Sequence, residues 1–172
     1  MALSIEEYER TFGPEPGWEY ADGNAIRKPV PTFLHGLLSI LLAELLRQAG
    51  YFSSVEADLH LPDWSPRPDA CGVLTPVEGK YPSAPVDVVF EVLSEGEKIE
   101  EKCLRYSLAG ISQIFVFNPE SRRIWRWDEA GKLIPVVDVS LSVGVTITGL
   151  TIWSEMERRH KERDEPPVSK RI

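Results

Sequence analysis

Glu91 is the first residue whose type and position together suggest chemistry. It lies in segment 86–93, which is otherwise almost continuously apolar and β-branched, the composition of a strand covered on both faces. Burying a bare carboxylate there costs several kcal/mol unless the charge is paired or bound to a metal. Alternation along the strand places Asp87, Val89 and Leu93 on the same face as Glu91. A structural carboxylate held by an arginine or by backbone amides is the alternative interpretation.

Lys102 is the second such residue. In the helix predicted over 97–109, it shares the core-facing side with Cys103 and Tyr106 because the three residues recur at helical spacing. A lysine in that position requires an anion, and the strand that carries Glu91 comes just before this helix. The alternative is a lysine whose methylene stem covers apolar surface while its ammonium reaches solvent.

Asp69 is the third candidate. Pro68 fixes an extended backbone just before it, which places the carboxylate at the start of a predicted strand over 69–74; a plain turn aspartate is the alternative. Carboxylates on neighbouring strands, here Asp69 and Glu91, can hold one or two Mg²⁺ or Mn²⁺ ions. The ammonium of Lys102 can orient or deprotonate an attacking water and neutralise a phosphate. Together these groups are the parts of metal-assisted phosphodiester hydrolysis.

The elements that must position these residues predict an α/β (α+β) fold, with a mixed central sheet flanked by helices. A capping-box pair, Ser4 and Glu7, predicts a short first helix, and Asp22-Gly23 predicts the turn of a hairpin over 18–27. The remaining predicted helices cover 31–49, 97–109 and 151 to about 163. The remaining predicted strands cover 51–61, 69–74, 86–93, 113–118, 122–128 and 132–137, with proline-rich loops over 62–68 and 76–85.

Composition limits the class of protein. The 172 residues carry 19 Lys and Arg against 27 Asp and Glu, a net charge of −8, which counts against nucleic-acid binding unless positive charge is concentrated on one face. We expect one domain over 1–163 and a flexible polar tail over 164–172. Apolar stretches are too short for a membrane span, and the acidic N-terminus has no secretory signal. Two distant cysteines, Cys71 and Cys103, favour a reducing compartment, so we expect a cytoplasmic protein.

A set of short segments is spread over residues 18–133. In chain order, they are 19–23 (EYADG), His35, 67–69 (RPD), 90–94 (FEVLS), Lys102 with Tyr106, 110–111 (GI) and 117–119 (FNP). This set resembles the Uma2 family of restriction endonucleases, which belongs to the PD-(D/E)XK nuclease superfamily. The resemblance implies a restriction endonuclease-like core and Mg²⁺-dependent or Mn²⁺-dependent hydrolysis of DNA. It also implies a homodimer, because cutting both strands of a duplex needs two sites.

The resemblance also implies roles for individual residues. Asp69 and Glu91 are the implied metal ligands. The superfamily pattern places a lysine at position 93, which is leucine here, and the resemblance implies that Lys102 replaces it from the next helix. Glu19 matches a glutamate that supports the metal site, and His35 matches a histidine near the active centre. A histidine that begins an amphipathic helix is otherwise a cap or a core residue.

Two departures from the family pattern bear on activity. Asn24 stands where many relatives carry a second glutamate, and the stretch after Ser94 is Glu-Gly-Glu-Lys instead of a small polar loop. The favoured function is a metal-dependent endonuclease acting on DNA. The alternative is a catalytically inactive nucleic-acid-binding or assembly protein of the same fold. A glycoside hydrolase with paired carboxylates has no other support. The sequence leaves open DNA against RNA, endonuclease against exonuclease, and the recognition sequence.

Overall fold

The structure, a computed structural model, describes residues 2–82 and 85–162. The helices are α1 (Ile5–Thr11), α2 (Phe33–Gln48), α3 (Ile99–Leu108) and α4 (Gly149–Glu162). The strands are β1 (Trp18–Ala21), β2 (Asn24–Arg27), β3 (Phe52–Ser54), β4 (Trp64–Ser65), β5 (Ala70–Val73), β6 (Val88–Val92), β7 (Gln113–Asn118), β8 (Arg123–Trp127), β9 (Leu133–Val136), β10 (Val139–Ser140) and β11 (Thr146–Ile147). The predicted tail over 164–172 lies outside the described residues, and the single domain over 1–163 stays a prediction.

The central sheet has six strands in the order β3-β5-β6-β7-β8-β9. Only β6 and β7 pair in parallel within this sheet, and its other neighbouring strands pair antiparallel. A three-stranded sheet, β2-β1-β4, and the β10-β11 pair lie beside it. The predicted mixed α/β architecture is confirmed.

Strand β6 forms the middle of the molecule, and all five of its residues are buried. Its even-numbered side chains, among them Phe90, pack in the core formed with α2 and α4. Val89 faces the opposite way and packs with Cys103 and Tyr106 of α3. Because side chains alternate along a strand, Glu91 also points toward α3. The sheet therefore directs this carboxylate at the helix that carries Lys102.

The N-terminal elements form as their sequence predicts. The Ser4 side chain accepts a hydrogen bond from the Glu7 amide while the Glu7 carboxylate accepts one from the Ser4 amide, which completes the capping box of α1. Asp22 and Gly23 both have positive φ, as a two-residue hairpin turn requires. The hairpin pairs through β1 with β4, so it is connected to the loop that leads to Asp69.

Two predictions about residues 51–68 were wrong. The strand predicted over 51–61 is confined to Phe52–Ser54, and the predicted loop over 62–68 contains the short strand β4. Glu56 and Asp63 have φ of 50° and 55°, values that extended strands do not adopt. This backbone turns the chain away from the central sheet and against β1.

Among the described residues, no helix is long and apolar enough to cross a bilayer.

Candidate active site

Asp69 and Glu91 lie on adjacent strands. Ala70 of β5 pairs with Phe90 of β6, and the antiparallel register continued by one residue places Asp69 opposite Glu91. Oδ2 of Asp69 accepts a hydrogen bond of 2.7 Å from the Val92 amide. Both carboxylates are buried, with relative exposures of 2% and 0%. The structure therefore brings the two predicted metal ligands together at one end of the central sheet.

Lys102 reaches Glu91 from α3. Its Nζ donates to Glu91 Oε2 at 3.1 Å, and the side chain is only 11% exposed. Nζ also lies 3.4 Å from Glu19 and 3.5 Å from Glu97. By contrast, the side chain of Lys98, which directly precedes α3, is 85% exposed. Lys102 is therefore an ion-paired interior lysine, and the alternative of a solvent-reaching ammonium was wrong.

Tyr106 completes the contacts of Glu91. Its hydroxyl donates to Glu91 Oε1 at 2.6 Å from one helical turn beyond Lys102. Burial raises the pKa of Glu91 well above its ordinary value; Lys102 opposes this shift, and Asp69 adds to it. Burial alone would lower the pKa of Lys102, but Glu91 and Glu19 reverse the shift and raise it well above normal. The lysine is thus held as an ammonium within a cluster rich in negative charge.

His35 holds the other carboxylate. Its Nε2 lies 2.8 Å from Asp69 Oδ1, and its Nδ1 lies 3.2 Å from the Ser94 hydroxyl. Because an ionised carboxylate only accepts, Nε2 carries the proton that is donated to Asp69. Burial would raise the pKa of Asp69, but the hydrogen bond from His35 and the charge of Lys28 hold it below its ordinary value. The backbone amide of His35 also donates to the Thr32 side chain. Of the alternatives for His35, helix capping therefore describes its backbone and not its ring.

Glu19 and Glu97 join the cluster from two other directions. Glu19 Oε1 accepts from the Arg67 amide at 2.9 Å while lying 3.4 Å from Lys102. Glu97, which belongs to the acidic stretch after Ser94, turns inward to Lys102 and is only 18% exposed. Of the two glutamates in this stretch, Glu95 is exposed and Glu97 joins the cluster.

Lys28 is the main residue of the cluster that the sequence analysis missed. Its Nζ lies 2.9 Å from both carboxylate oxygens of Glu56, donates to the Arg67 carbonyl at 2.7 Å, and lies 3.7 Å from Asp69 Oδ1. The side chain is 13% exposed. Lys28 follows the short hairpin strand β2, where no periodicity indicates which way a side chain points. The only local signal in the sequence was a lysine a few residues after the EYADG segment.

Arg67 fixes the loop that precedes Asp69. Its guanidinium binds the Asp58 carboxylate through Nε at 2.7 Å and Nη2 at 3.0 Å. It also donates to the carbonyls of Glu15 and Gly13, both at 2.9 Å. With 6% exposure, this fork joins three segments that are distant in sequence. Arg67 therefore positions Asp69 and does not itself face Glu91.

We expect Arg67→Met to lower the free energy of unfolding by about 3 kcal/mol, because Asp58 and two carbonyls lose a buried charged donor. Urea unfolding followed by circular dichroism measures the change. Arg126→Met, at an exposed position of β8, is the control and should change the free energy by no more than about 0.5 kcal/mol. Equal effects of the two substitutions would show that the Arg67 fork does not stabilise the fold.

A cavity of about 500 Å³ opens beside Asp69. Its polar lining includes Lys28, His35, Ser94 and Glu97, and much of its wall is apolar, formed by Pro29, Val30, Pro31, Ile40 and Val55. Glu91, which has no exposed surface, and Lys102 lie behind this lining. Access from solvent to the carboxylate pair is therefore on the Asp69 side.

The donor set of the cluster is of the kind that Mg²⁺ prefers, namely carboxylate oxygens. Within residues 2–82 and 85–162, no three Asp, Glu, His or Cys side chains are already grouped as a metal site. Each carboxylate offers about four lone pairs, however, and the contacts with Val92 and His35 leave part of this capacity of Asp69 unused. The residues fit a divalent metal, provided that Asp69 and Glu91 adjust around it.

Comparison with solved structures defines the class of protein. A crystal structure from Anabaena variabilis, described as "a putative nuclease belonging to DUF820", superposes with a TM-score of 0.76 and 17% identity, over 90% of this chain and 99% of that one. The chain therefore shares the fold of that protein. A DrdV–DNA complex aligns with a TM-score of 0.38 and 13% identity over 75% of this chain and 11% of that one, which establishes no shared fold.

The sequence then identifies the family. Residues 5–152 match the pattern of the Uma2 family, described as "Putative restriction endonuclease", so this chain belongs to the Uma2 family. No protein of curated function matches it. The family resemblance seen in the sequence is confirmed.

Proposed function

We propose that this protein is a metal-dependent endonuclease that hydrolyses DNA phosphodiester bonds. The observation that carries the proposal is the contact of Lys102 with Glu91, 3.1 Å long, directly behind the Asp69 carboxylate that lines the cavity. Two opposed carboxylates and an interior ammonium are the groups that metal-assisted hydrolysis requires, and membership of the Uma2 family supports that use of them.

Asp69 and Glu91 would hold the Mg²⁺ or Mn²⁺ ion. When bound, the ion supplies Lewis-acid activation of the phosphate and of the attacking water. His35 holds the Asp69 carboxylate in place through a bond of 2.8 Å, and Tyr106 holds Glu91. Glu19, which lies 3.4 Å from Lys102, holds the ammonium beside Glu91.

Lys102 acts in this proposal as a charged donor. Its ammonium is surrounded by three carboxylates, Glu19, Glu91 and Glu97, which favour the protonated form. A protonated lysine can orient the water and neutralise the phosphate. It cannot deprotonate the water, which is the other role that the sequence left open. The lysine therefore stabilises the negative charge that develops on the phosphate.

The family's description as restriction endonucleases supports DNA as the substrate. A homodimer would place one site at each strand of a duplex, and it stays a prediction. The acidic composition means that long-range attraction contributes little, so binding depends on contacts inside the cavity and on the metal.

Nicking of supercoiled plasmid by the purified protein tests the function. We expect conversion to open circles in Mg²⁺ or Mn²⁺ and none in EDTA. Parallel reactions with single-stranded DNA and RNA identify the preferred nucleic acid. Folded protein that cleaves none of the three in either metal would overturn the nuclease proposal. Retention of labelled DNA in a gel-shift assay would then favour the inactive nucleic-acid-binding protein.

A further inference from the structure

Lys28 contacts the same cluster as Lys102 but comes from the end of the β1–β2 hairpin instead of from α3. Its Nζ lies 3.7 Å from Asp69 and 4.0 Å from Glu19, while Lys102 Nζ lies 3.4 Å from Glu19 and 3.1 Å from Glu91. The two ammonium groups therefore share Glu19, while Lys28 contacts Asp69 and Lys102 contacts Glu91. The proposed reaction gives a role to Lys102 but none to Lys28.

Three contacts fix the position of the Lys28 ammonium. Glu56 binds it through both carboxylate oxygens at 2.9 Å, and the Arg67 carbonyl accepts from it at 2.7 Å. These three contacts hold the ammonium at the cavity wall with only 13% of the side chain exposed. A cation that enters the cavity toward Asp69 therefore meets a resident positive charge beside that carboxylate.

Charge in the cluster is unbalanced even with both lysines present. Five carboxyl groups contact the two ammonium groups: Glu19, Glu56, Asp69, Glu91 and Glu97. Lys28 therefore offsets part of a negative charge that would otherwise attract a divalent ion strongly. Like charges about 4 Å apart repel substantially at the effective dielectric of a partly buried site.

We infer that Lys28 is a built-in counter-ion that competes with the divalent metal for the Asp69 and Glu19 carboxylates and so lowers the affinity of the site for metal. The inference rests on the proposed function, because it concerns the same metal site. Metal binding requires the Lys28 ammonium to withdraw from Asp69, and its contacts with Glu56 and the Arg67 carbonyl give it a place to remain.

Mn²⁺ titration of the purified full chain tests the inference without reference to cleavage. Free Mn²⁺ is measured by electron paramagnetic resonance for wild type, Lys28→Met and Lys28→Gln. Methionine keeps most of the length of the side chain, and glutamine keeps a donor for the Arg67 carbonyl. At least one variant should therefore fold. We expect both to bind Mn²⁺ at least about tenfold more tightly than wild type.

Arg126→Met is the control, since it removes one positive charge from an exposed position of β8 that does not line the cavity. We expect this variant to bind Mn²⁺ within about twofold of wild type. Near-ultraviolet circular dichroism verifies folding.

The outcomes separate the two proposals. Wild type that binds Mn²⁺, with folded Lys28 variants that bind no more tightly, would overturn the competition and leave the nuclease proposal standing. An equal gain in Arg126→Met would overturn it as well, because the effect would then come from the net charge of the protein and not from the position of Lys28. No Mn²⁺ binding by any of these proteins would overturn both the inference and the metal dependence of the proposed function.

Discussion

Glu91→Gln is expected to reduce metal-dependent plasmid nicking by about 1,000-fold, because in the proposed mechanism the substitution removes a metal ligand worth several kcal/mol to the transition state. The fold should survive. Burial raises the pKa of Glu91, so the ionised form is costly to the folded state, and the amide still accepts from Tyr106. We expect the free energy of unfolding to change by no more than about 2 kcal/mol. Initial nicking rates in Mn²⁺ and urea unfolding measure the two effects.

Asp87→Asn is the control for this variant. Asp87 lies on the same chain segment as Glu91 but accepts a hydrogen bond from the Leu74 amide at 2.7 Å, away from the cluster. Its variant should keep the wild-type nicking rate within about threefold. Nicking by Glu91→Gln at the rate of the control would remove Glu91 from the site.

Lys102→Met is expected to lower both activity and stability. Nicking should fall by about 100-fold or more, because in the proposed mechanism the phosphate loses a fixed positive charge in the transition state. The free energy of unfolding should fall by about 3 kcal/mol, because Glu91, Glu19 and Glu97 lose their shared ammonium. Nicking rates at a temperature where the variant is fully folded separate the two effects.

Lys98→Met, at the N-cap of the same helix, provides the comparison. Lys98 is 85% exposed and pairs with Glu101 at 3.8 Å in solvent, so its loss should change the free energy of unfolding by less than about 0.5 kcal/mol and leave nicking unchanged. If Lys102→Met nicks plasmid as fast as Lys98→Met, the lysine has only a structural role.

Local patterns in the sequence were sufficient to predict the elements that carry the site. The apolar run around Glu91 predicted a central strand, and helical spacing placed Lys102 and Tyr106 on the inward face of α3. Both signals depend on burial, which repeats at the period of the element. The proximity of Asp69 and Glu91 followed because the two strands are neighbours in the sheet.

Contacts between distant segments could not be predicted in the same way. Lys28, Glu56 and Arg67 meet because positive φ at Glu56 and the pairing of β1 with β4 bring irregular segments together. No periodicity marks such positions, since each side chain is placed by a single loop conformation. The same holds for Glu97, whose inward orientation depends on where α3 begins. Sequence thus located Asp69 and the strand and helix residues of the cluster, but not Lys28, Glu56 or Glu97.

Anomalous diffraction from a crystal grown in Mn²⁺ tests most directly whether Asp69 and Glu91 form a metal site. At the Mn²⁺ concentration that supports plasmid nicking, we expect one strong anomalous peak within bonding distance of both carboxylates, with the Lys28 ammonium displaced from Asp69. The Glu91→Gln crystal should lose the peak. A peak bound only by other residues, or none in crystals of protein that nicks plasmid with Mn²⁺, would contradict the assignment of the two carboxylates as the metal site.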